Sequence, residues 1–525
     1  MFAVDRNVKL LTLGACCFGL FMVMLDNTIV NVALPSIQRD LGASVSGLQL
    51  VLDTYVLVFA SLLLTAGSLG DRYGRKRVFQ AGLVVFTVGS ALCGLAPTLP
   101  ALVAARALQA VGGAALLPST LAIIATTFPD PRERVQAIGL WSGVSASALA
   151  AGPVVGGLLV DSFGWRSVFY VNVPVGVAAL LVAGRVVAES RNPDARRLDL
   201  PGLLLAVAGL GSLTYGLIEG NAHGWGSPPI VALLTVGGVG LAAFLLVEAR
   251  RRHPMLALGF FRDPTFSSAN TVALLVGFAL LGFVFFNTLY FQVVQGYSPL
   301  QAGLRSLPNT LSVVVMAPIA GRLASRFSYR VPVVAGLLLA SAALLLLQRI
   351  QPGTPYTSLW WNLAMLGAGL GLTISPVTAA AVAAMPGSQA GVASAVTNTS
   401  RQVGGALGVA VLGAVGAGRF TATLPARLAP LHLPAPVREQ LQAAASKAVG
   451  TAPQGTAGAP AVRHAVAAAF VTGIHAAYLV AGLALAAGAL VALARLRPSR
   501  QAARVAARAG GAVAAGAATR NQPPP

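Results

Sequence analysis

Charge is scarce in this chain. Of 525 residues only 10% are Asp, Glu, Lys or Arg, whereas an ordinary soluble domain carries about 25%. A water-soluble globule is therefore excluded. Acids are scarcest, 15 in all, with none between Asp263 and Glu439. The three cysteines, Cys16, Cys17 and Cys93, cannot staple a chain of this length, so a disulfide scaffold is excluded too. Long polar tracts are also missing, and with 56% hydrophobic residues and a mean hydropathy of +0.76 the chain is too apolar to stay disordered in water.

What is present is a set of fourteen apolar stretches, from 10–33 at the start to 467–494 at the end. Each is near the ~20 residues that carry a helix across ~30 Å of hydrocarbon. The fold class is therefore all-α, a polytopic membrane protein with fourteen spans. The net charge of +21 reads as an orientation signal rather than a nucleic-acid footprint. With the N-terminus inside, 25 Lys/Arg fall on inner loops and tails, 8 on outer loops and 3 (Arg106, Arg305, Arg401) within spans. That bias places both termini in the cytoplasm. The first run continues through Asp26 and Asn31 to Pro35 without a small-residue cleavage site, so it is a retained span and not a signal peptide.

The chain repeats itself once. Gly67–Lys76, G-S-L-G-D-R-Y-G-R-K, and Gly321–Arg330, G-R-L-A-S-R-F-S-Y-R, occupy equivalent loops of two six-span blocks. The expected organisation is an N-terminal bundle at 1–190, a linker with two extra spans at 191–263, and a C-terminal bundle at 264–494. Within the last, 418–466 is expected as an extracellular segment with a short helix near Val437–Val449. Residues 495–525 form a basic tail expected to be disordered.

Several stretches carry chemistry. Leu25–Pro35, L-D-N-T-I-V-N-V-A-L-P, puts Asp26 inside the membrane, where a carboxylate is costly and is a functional candidate by default. Asp53 in L-D-T-Y is a second acid, expected nearer the outer end of its span. Arg106 in L-V-A-A-R-A-L-Q-A-V-G-G adds a fixed cation. Burial favours the neutral acid and a close arginine the ionised one, so changing the distance to Arg106 would load or unload a proton. Asp26 is the expected principal carrier. Gly152, Pro153, Gly156 and Gly157, in G-P-V-V-G-G, combine a bend with close helix approach. Arg401 lies ten residues inside the stretch 391–417, ~15 Å deep at ~1.5 Å per residue. It needs carbonyls, Asn398, an acid of the first half or an anionic ligand as partner; a structural contact across the halves is expected. Asn27, Asn31, Asn287, Tyr290, Asn398 and Arg401 are candidate cavity residues, and the lack of acids between Asp263 and Glu439 makes a dicationic ligand a poor fit. His475 is expected to be packed and hydrogen-bonded.

These motifs resemble the major facilitator superfamily, specifically its fourteen-span drug:proton antiporter branch of the EmrB/QacA type, over about residues 10–494. The resemblance implies two six-helix bundles that alternate access to a central site. It implies that the loop Gly67, Gly70, Asp71, Arg72, Gly74, Arg75 and Lys76 is a conformational latch, Asp71 meeting the start of helix 11 near Gly391 in the outward-open state. It links Arg106 to proton transfer and G-P-V-V-G-G to export. The function implied is proton-coupled export of amphipathic small molecules from a bacterial inner membrane, by a monomer. Alternatives are an exporter of one dedicated metabolite or self-made antibiotic, and a membrane sensor or scaffold. No enzyme activity, cofactor, metal or nucleic acid is expected. The G-A-G-L-G run at Gly367–Gly371 follows no strand and no G-x-x-x-x-G-K-[ST] loop occurs, which argues against ATP as the energy source.

Overall fold

The computed structural model describes residues 6–496 apart from 192–198, 252–255, 257, 386–388, 432, 437–438 and 440–459. Its N-terminal bundle comprises α1 (Arg6–Leu41), α2 (Val45–Tyr73), α3 (Arg75–Leu95), α4 (Leu99–Thr127), α5 (Pro131–Phe163), the short α6 (Ser167–Tyr170) and α7 (Asn172–Val186). Two added helices follow, α8 (Leu200–His223) and α9 (Pro228–Arg250). The C-terminal bundle holds α10 (Pro264–Leu289), α11 (Pro299–Arg326), α12 (Arg330–Leu346), α13 (Trp360–Ala383), α14 (Ala390–Leu428) and α15 (Pro460–Arg495). Among the described residues thirteen helices are long and apolar enough to span a membrane, or fourteen if bent α5 counts as one span. Short polar caps begin several of them: Ser44 accepts from Gly47 N, Asp263 from Thr265 N and Phe266 N, and Ser298 forms a reciprocal box with Gln301.

The same packing plan recurs in both bundles, α1 against α5 and α2 against α4 in the first, α10 against α14 and α11 against α13 in the second. In the second bundle glycines bring backbones into contact. A methyl group on Gly277, Gly404 or Gly408 would strike the backbone carbonyls of Arg401, Leu274 and Phe278 in turn. Small residues are the usual means of helix association where lipid removes the hydrophobic drive. Past α10 the chain continues as one π-turn, Tyr290–Val294, with Gln295 N donating to Tyr290 O.

Two boundaries differ from expectation. Helix α14 runs to Leu428, eleven residues beyond the apolar stretch ending at 417, because alanines, leucines and arginines keep helical propensity after hydropathy falls. The expected extracellular segment therefore begins inside a helix; its candidate helix at Val437–Val449 and the basic tail after Leu496 lie outside the described residues. Helix α1 likewise extends to Leu41 through Pro35.

The halves meet along α5–α11, α2–α14 and α1–α10. Added helix α8 packs against α2 and α14 together and so covers the α2–α14 seam from its flank, while α9 packs on α8.

Candidate functional site

Asp26 and Arg106 come together in the core of the first bundle. Arg106 Nη1 donates to Asp26 Oδ2 at 2.6 Å, and the two residues are 1% and 0% exposed. The rest of the coordination satisfies both charges. Gln109 Nε2 donates to Asp26 Oδ1 at 2.9 Å, and Asn172 Nδ2 approaches it at 3.4 Å. Arg106 also donates to Gln109 Oε1 and to Val51 O of α2, and its guanidinium lies 4.0 Å from the Tyr55 ring centroid. Ser90 links Gln109 and Asn172 to Phe169 O. Such a satisfied network fixes α1, α2, α3, α4, α6 and α7 against one another. Sequence reasoning missed Gln109 and Asn172. The signal for Gln109 was its spacing, one turn after Arg106, whereas nothing local marks Asn172.

Asp53 stands apart from this network. It is 1% exposed, and neither carboxylate oxygen has a hydrogen-bond partner. Among the described residues it is the only buried carboxylate with both oxygens unpaired. Its position eight residues into the 29-residue α2, ~12 Å along the helix, is nearer the α1–α2 end, and it is as buried as Asp26. One turn earlier on α2, Gln49 Nε2 donates across the seam to Val409 O of α14 at 2.7 Å.

The G-P-V-V-G-G run divides its labour between two contacts. Gly152 and Gly156 face α1, where a methyl would collide with Thr28 and Ile29. Gly157 and the Pro153 carbonyl face α11, opposite Leu300 and Gly303. Between its segments Gln136–Ser145 and Ala150–Phe163, α5 bends by 40°, just before Pro153, as expected where proline withholds a donor and crowds the carbonyl four residues back. Beyond Gly157, Asp161 accepts from Ser298 Oγ at 2.8 Å and Leu300 N at 3.1 Å. Gln292 Nε2 in the π-turn donates to Val32 O at 2.9 Å.

These cross-half bonds all lie toward the end where α1 finishes and α2 begins. Exposure along α1 agrees. Phe21, Met24, Asn27 and Thr28 are half-buried, and Ile29 through Pro35 are all buried. The halves are thus closed at the α1–α2 end.

The glycine- and cation-rich loop folds on itself. Arg75 holds Asp71 through Nε at 3.1 Å and Nη2 at 2.8 Å, and Gly74 turns the chain at φ +112°. The acid at a helix N-terminus here is Glu189, accepting from Lys76 N and Arg77 N at the start of α3. Lys76 Nζ reaches Gly184 O. Gly67 and Gly70 lie near Pro118 and Ser119 of α4, and Arg72 stacks on Tyr73. No described bond joins Asp71 to α14, whose first side chains are outside the description. The expected latch belongs to the state with the α1–α2 end open, which is not the arrangement here.

Of the candidate cavity residues, Asn27, Asn398 and Arg401 are half-buried. Arg401 Nη2 donates to Asn398 Oδ1 on its own helix, so its bond is not the cross-half contact expected. Its long side chain finds an amide one turn away, and no acid between Asp263 and Glu439 is there to compete. Asn31 and Asn287 are buried, bonded to Asn27 O and Ser306 Oγ. Tyr290 is 2% exposed and donates to Gln351 O, so it braces the second bundle rather than lining a cavity. His475 is bonded to Ile350 O, as packing predicts. No group of three or more His, Cys, Asp or Glu able to hold a metal occurs among the described residues.

Residues 16–409 match the family described as Major Facilitator Superfamily. The chain is 40% identical over 423 residues to multidrug resistance protein Stp of Mycobacterium tuberculosis, covering 81% of this chain and 79% of that protein. It is 38% identical over 492 residues to the tetracenomycin C resistance and export protein of Streptomyces glaucescens, 92% of this chain and 90% of that one. Among solved structures, a bacterial homologue of the human lysosomal transporter Spinster, inward-facing and unoccupied, superposes with a TM-score of 0.66 at 19% identity over 94% of this chain and 98% of that chain. A multi-pass membrane protein with paired six-helix bundles and this sequence kinship belongs to the major facilitator superfamily.

Proposed function

We propose that the protein exports amphipathic small molecules of antibiotic type in exchange for protons, by alternating access between the two bundles, from the inner membrane of a bacterium. The kinship with proteins named for resistance to tetracenomycin C, puromycin and methylenomycin A supports the cargo class. With both termini inside, the closed α1–α2 end is extracellular, and the state described is inward-facing.

The isolation of Asp53 carries the proton assignment. A partnerless carboxylate in an apolar seam costs several kcal/mol, on the order of 2–7 or more, and binding one proton removes that cost. Asp26 already has Arg106, Gln109 and Asn172 in reach, so the geometry favours Asp53 as carrier and the Asp26–Arg106 pair as its fixed support. Arg106 grips Val51 O, two residues from Asp53, and ties the pair to the same stretch of α2. Movement of α2 against α14 then changes the surroundings of Asp53 as the halves rock. At ~150 mV one proton supplies ~3.4 kcal/mol, enough for a ~300-fold cargo gradient. The fixed cation at Arg401, with no acid between Asp263 and Glu439, favours neutral or anionic cargo over dications.

Reconstituted protein challenged with tetracenomycin C, puromycin and methylenomycin A under an imposed pH gradient tests the reading. Wild type should move at least one of them uphill and alkalinise or acidify the lumen in step. Asp53→Asn should leave only downhill movement. Transport of a cargo that ignores every imposed pH gradient would refute proton exchange, and gradient-driven export by Asp53→Asn would refute its assigned carrier.

A further inference from the structure

The added helix α8 is not inert packing at the seam. Its Thr214 is 1% exposed, and its hydroxyl has no hydrogen-bond partner. Most membrane threonines here fall back on their own helix: Thr235 donates to Val231 O, Thr373 to Gly369 O and Thr397 to Ala393 O. Thr214 does not. A buried hydroxyl that forgoes the carbonyl four residues back is left to find a partner elsewhere.

Helix register puts that partner beside it. Asn221 Nδ2 of α8 donates to Ala414 O of α14 at 2.6 Å and lies against Gly418. Thr214, two turns earlier on the same face, falls opposite residues 407–411 of α14. On α2, which runs the other way, Gln49 meets Val409 and Gly413, so Asp53, one turn on, falls opposite residues 405–409. The levels overlap to within about one helical turn, ~5 Å. Leu57 of α2, Leu210 of α8 and Ala406 of α14 belong to one buried apolar cluster. Two unpaired buried polar groups thus share the meeting point of three helices, one on the first bundle and one on the added hairpin.

We propose that Thr214 is the positioning partner of Asp53, its hydroxyl closing on the carboxylate when Asp53 is ionised. This rests on the assignment of Asp53 as the proton carrier. Asp53 surrenders one proton to water, and the O–H of Thr214 donates to the resulting carboxylate with no other bond made or broken. On reprotonation Asp53 takes a proton from water, and the contact opens to the arrangement described here. Four charged groups on the helices packed around α2 already have partners. Asp26 and Arg106 hold each other across α4, Arg401 on α14 bonds Asn398, and Glu219 on α8 pairs with His223. Thr214 is therefore the free donor that the added hairpin brings to the acid.

Infrared difference spectra of the full-length protein in lipid, titrated with pH, read the carboxyl carbonyl stretch without any cargo. Asp53→Asn identifies the band. Thr214→Val keeps the shape and removes the hydroxyl; the titration midpoint of that band should rise by ~1 unit, the worth of one hydrogen bond to a charged group. Thr214→Ser should restore it. A midpoint unchanged in Thr214→Val overturns the role of Thr214 while leaving the carrier intact. If Asp53→Asn removes no band, the carrier assignment falls and this inference with it.

Discussion

Gly303→Ala should hold the α1–α2 end open. In the closed arrangement a methyl on Gly303 would overlap the Pro153 carbonyl. That obstacle is backbone and cannot swing aside, so α5 and α11 must separate. Overpacking of this kind costs ~1–3 kcal/mol, which multiplies the open population ~5- to ~150-fold. Only the closed state bears the cost, because the contact does not exist once the halves part. The assay uses Val32, 5% exposed within the buried run of α1. In a background without Cys16, Cys17 and Cys93, Val32→Cys is labelled from outside by a membrane-impermeant maleimide. When opening is fast, the labelling rate follows the open population and should rise by the same factor. Gly321→Ala on the same helix is the control, since nothing lies within 4 Å of its added methyl. Equal labelling rates in Gly303→Ala, Gly321→Ala and the parent would refute the closure described for α5 and α11.

Asp161→Ala removes the acceptor of Ser298 Oγ and Leu300 N; at ~0.5–1.5 kcal/mol it should raise Val32→Cys labelling ~2- to ~13-fold. Asp26→Asn strands the buried Arg106 charge and should destabilise the detergent-solubilised protein by ~3–5 kcal/mol, seen as a fall in unfolding temperature. An unchanged melting curve would mean that the pair does not brace the bundle. Arg401→Gln should raise export of the dication pentamidine relative to a neutral probe about tenfold, ~1.4 kcal/mol, and an unchanged ratio would place Arg401 away from cargo.

Sequence alone made the fold legible, because hydropathy and charge asymmetry are properties of segments and the bilayer imposes helices on them. Asp26 and Arg106 were also legible: ionisable residues inside apolar runs stand out. What eluded it depends on which helices touch. Asp53 reads as one more acid until α2 is seen against α14 and α8, and among the partners open to Arg401 only the fold selects Asn398, one turn away, over a contact across the halves. Tyr290 resembled a cavity aromatic, but the π-turn directs its hydroxyl to Gln351. Asp161 and Glu189 sit at the ends of spans, where acids are common, and only the opposing Ser298–Leu300 and Lys76–Arg77 amides give them roles.

The glycine contacts between α10 and α14 carry one last implication. Helices whose carbonyls touch at three successive levels cannot slide or roll past each other without collision, so the pair travels as a single strut. Any flexing must then gather where the strut ends, at the Tyr290–Val294 turn that bears Gln292, the tether to Val32. A widened turn of helix absorbs bending more cheaply than a regular one, and stiffening it should slow the cycle without altering what is carried.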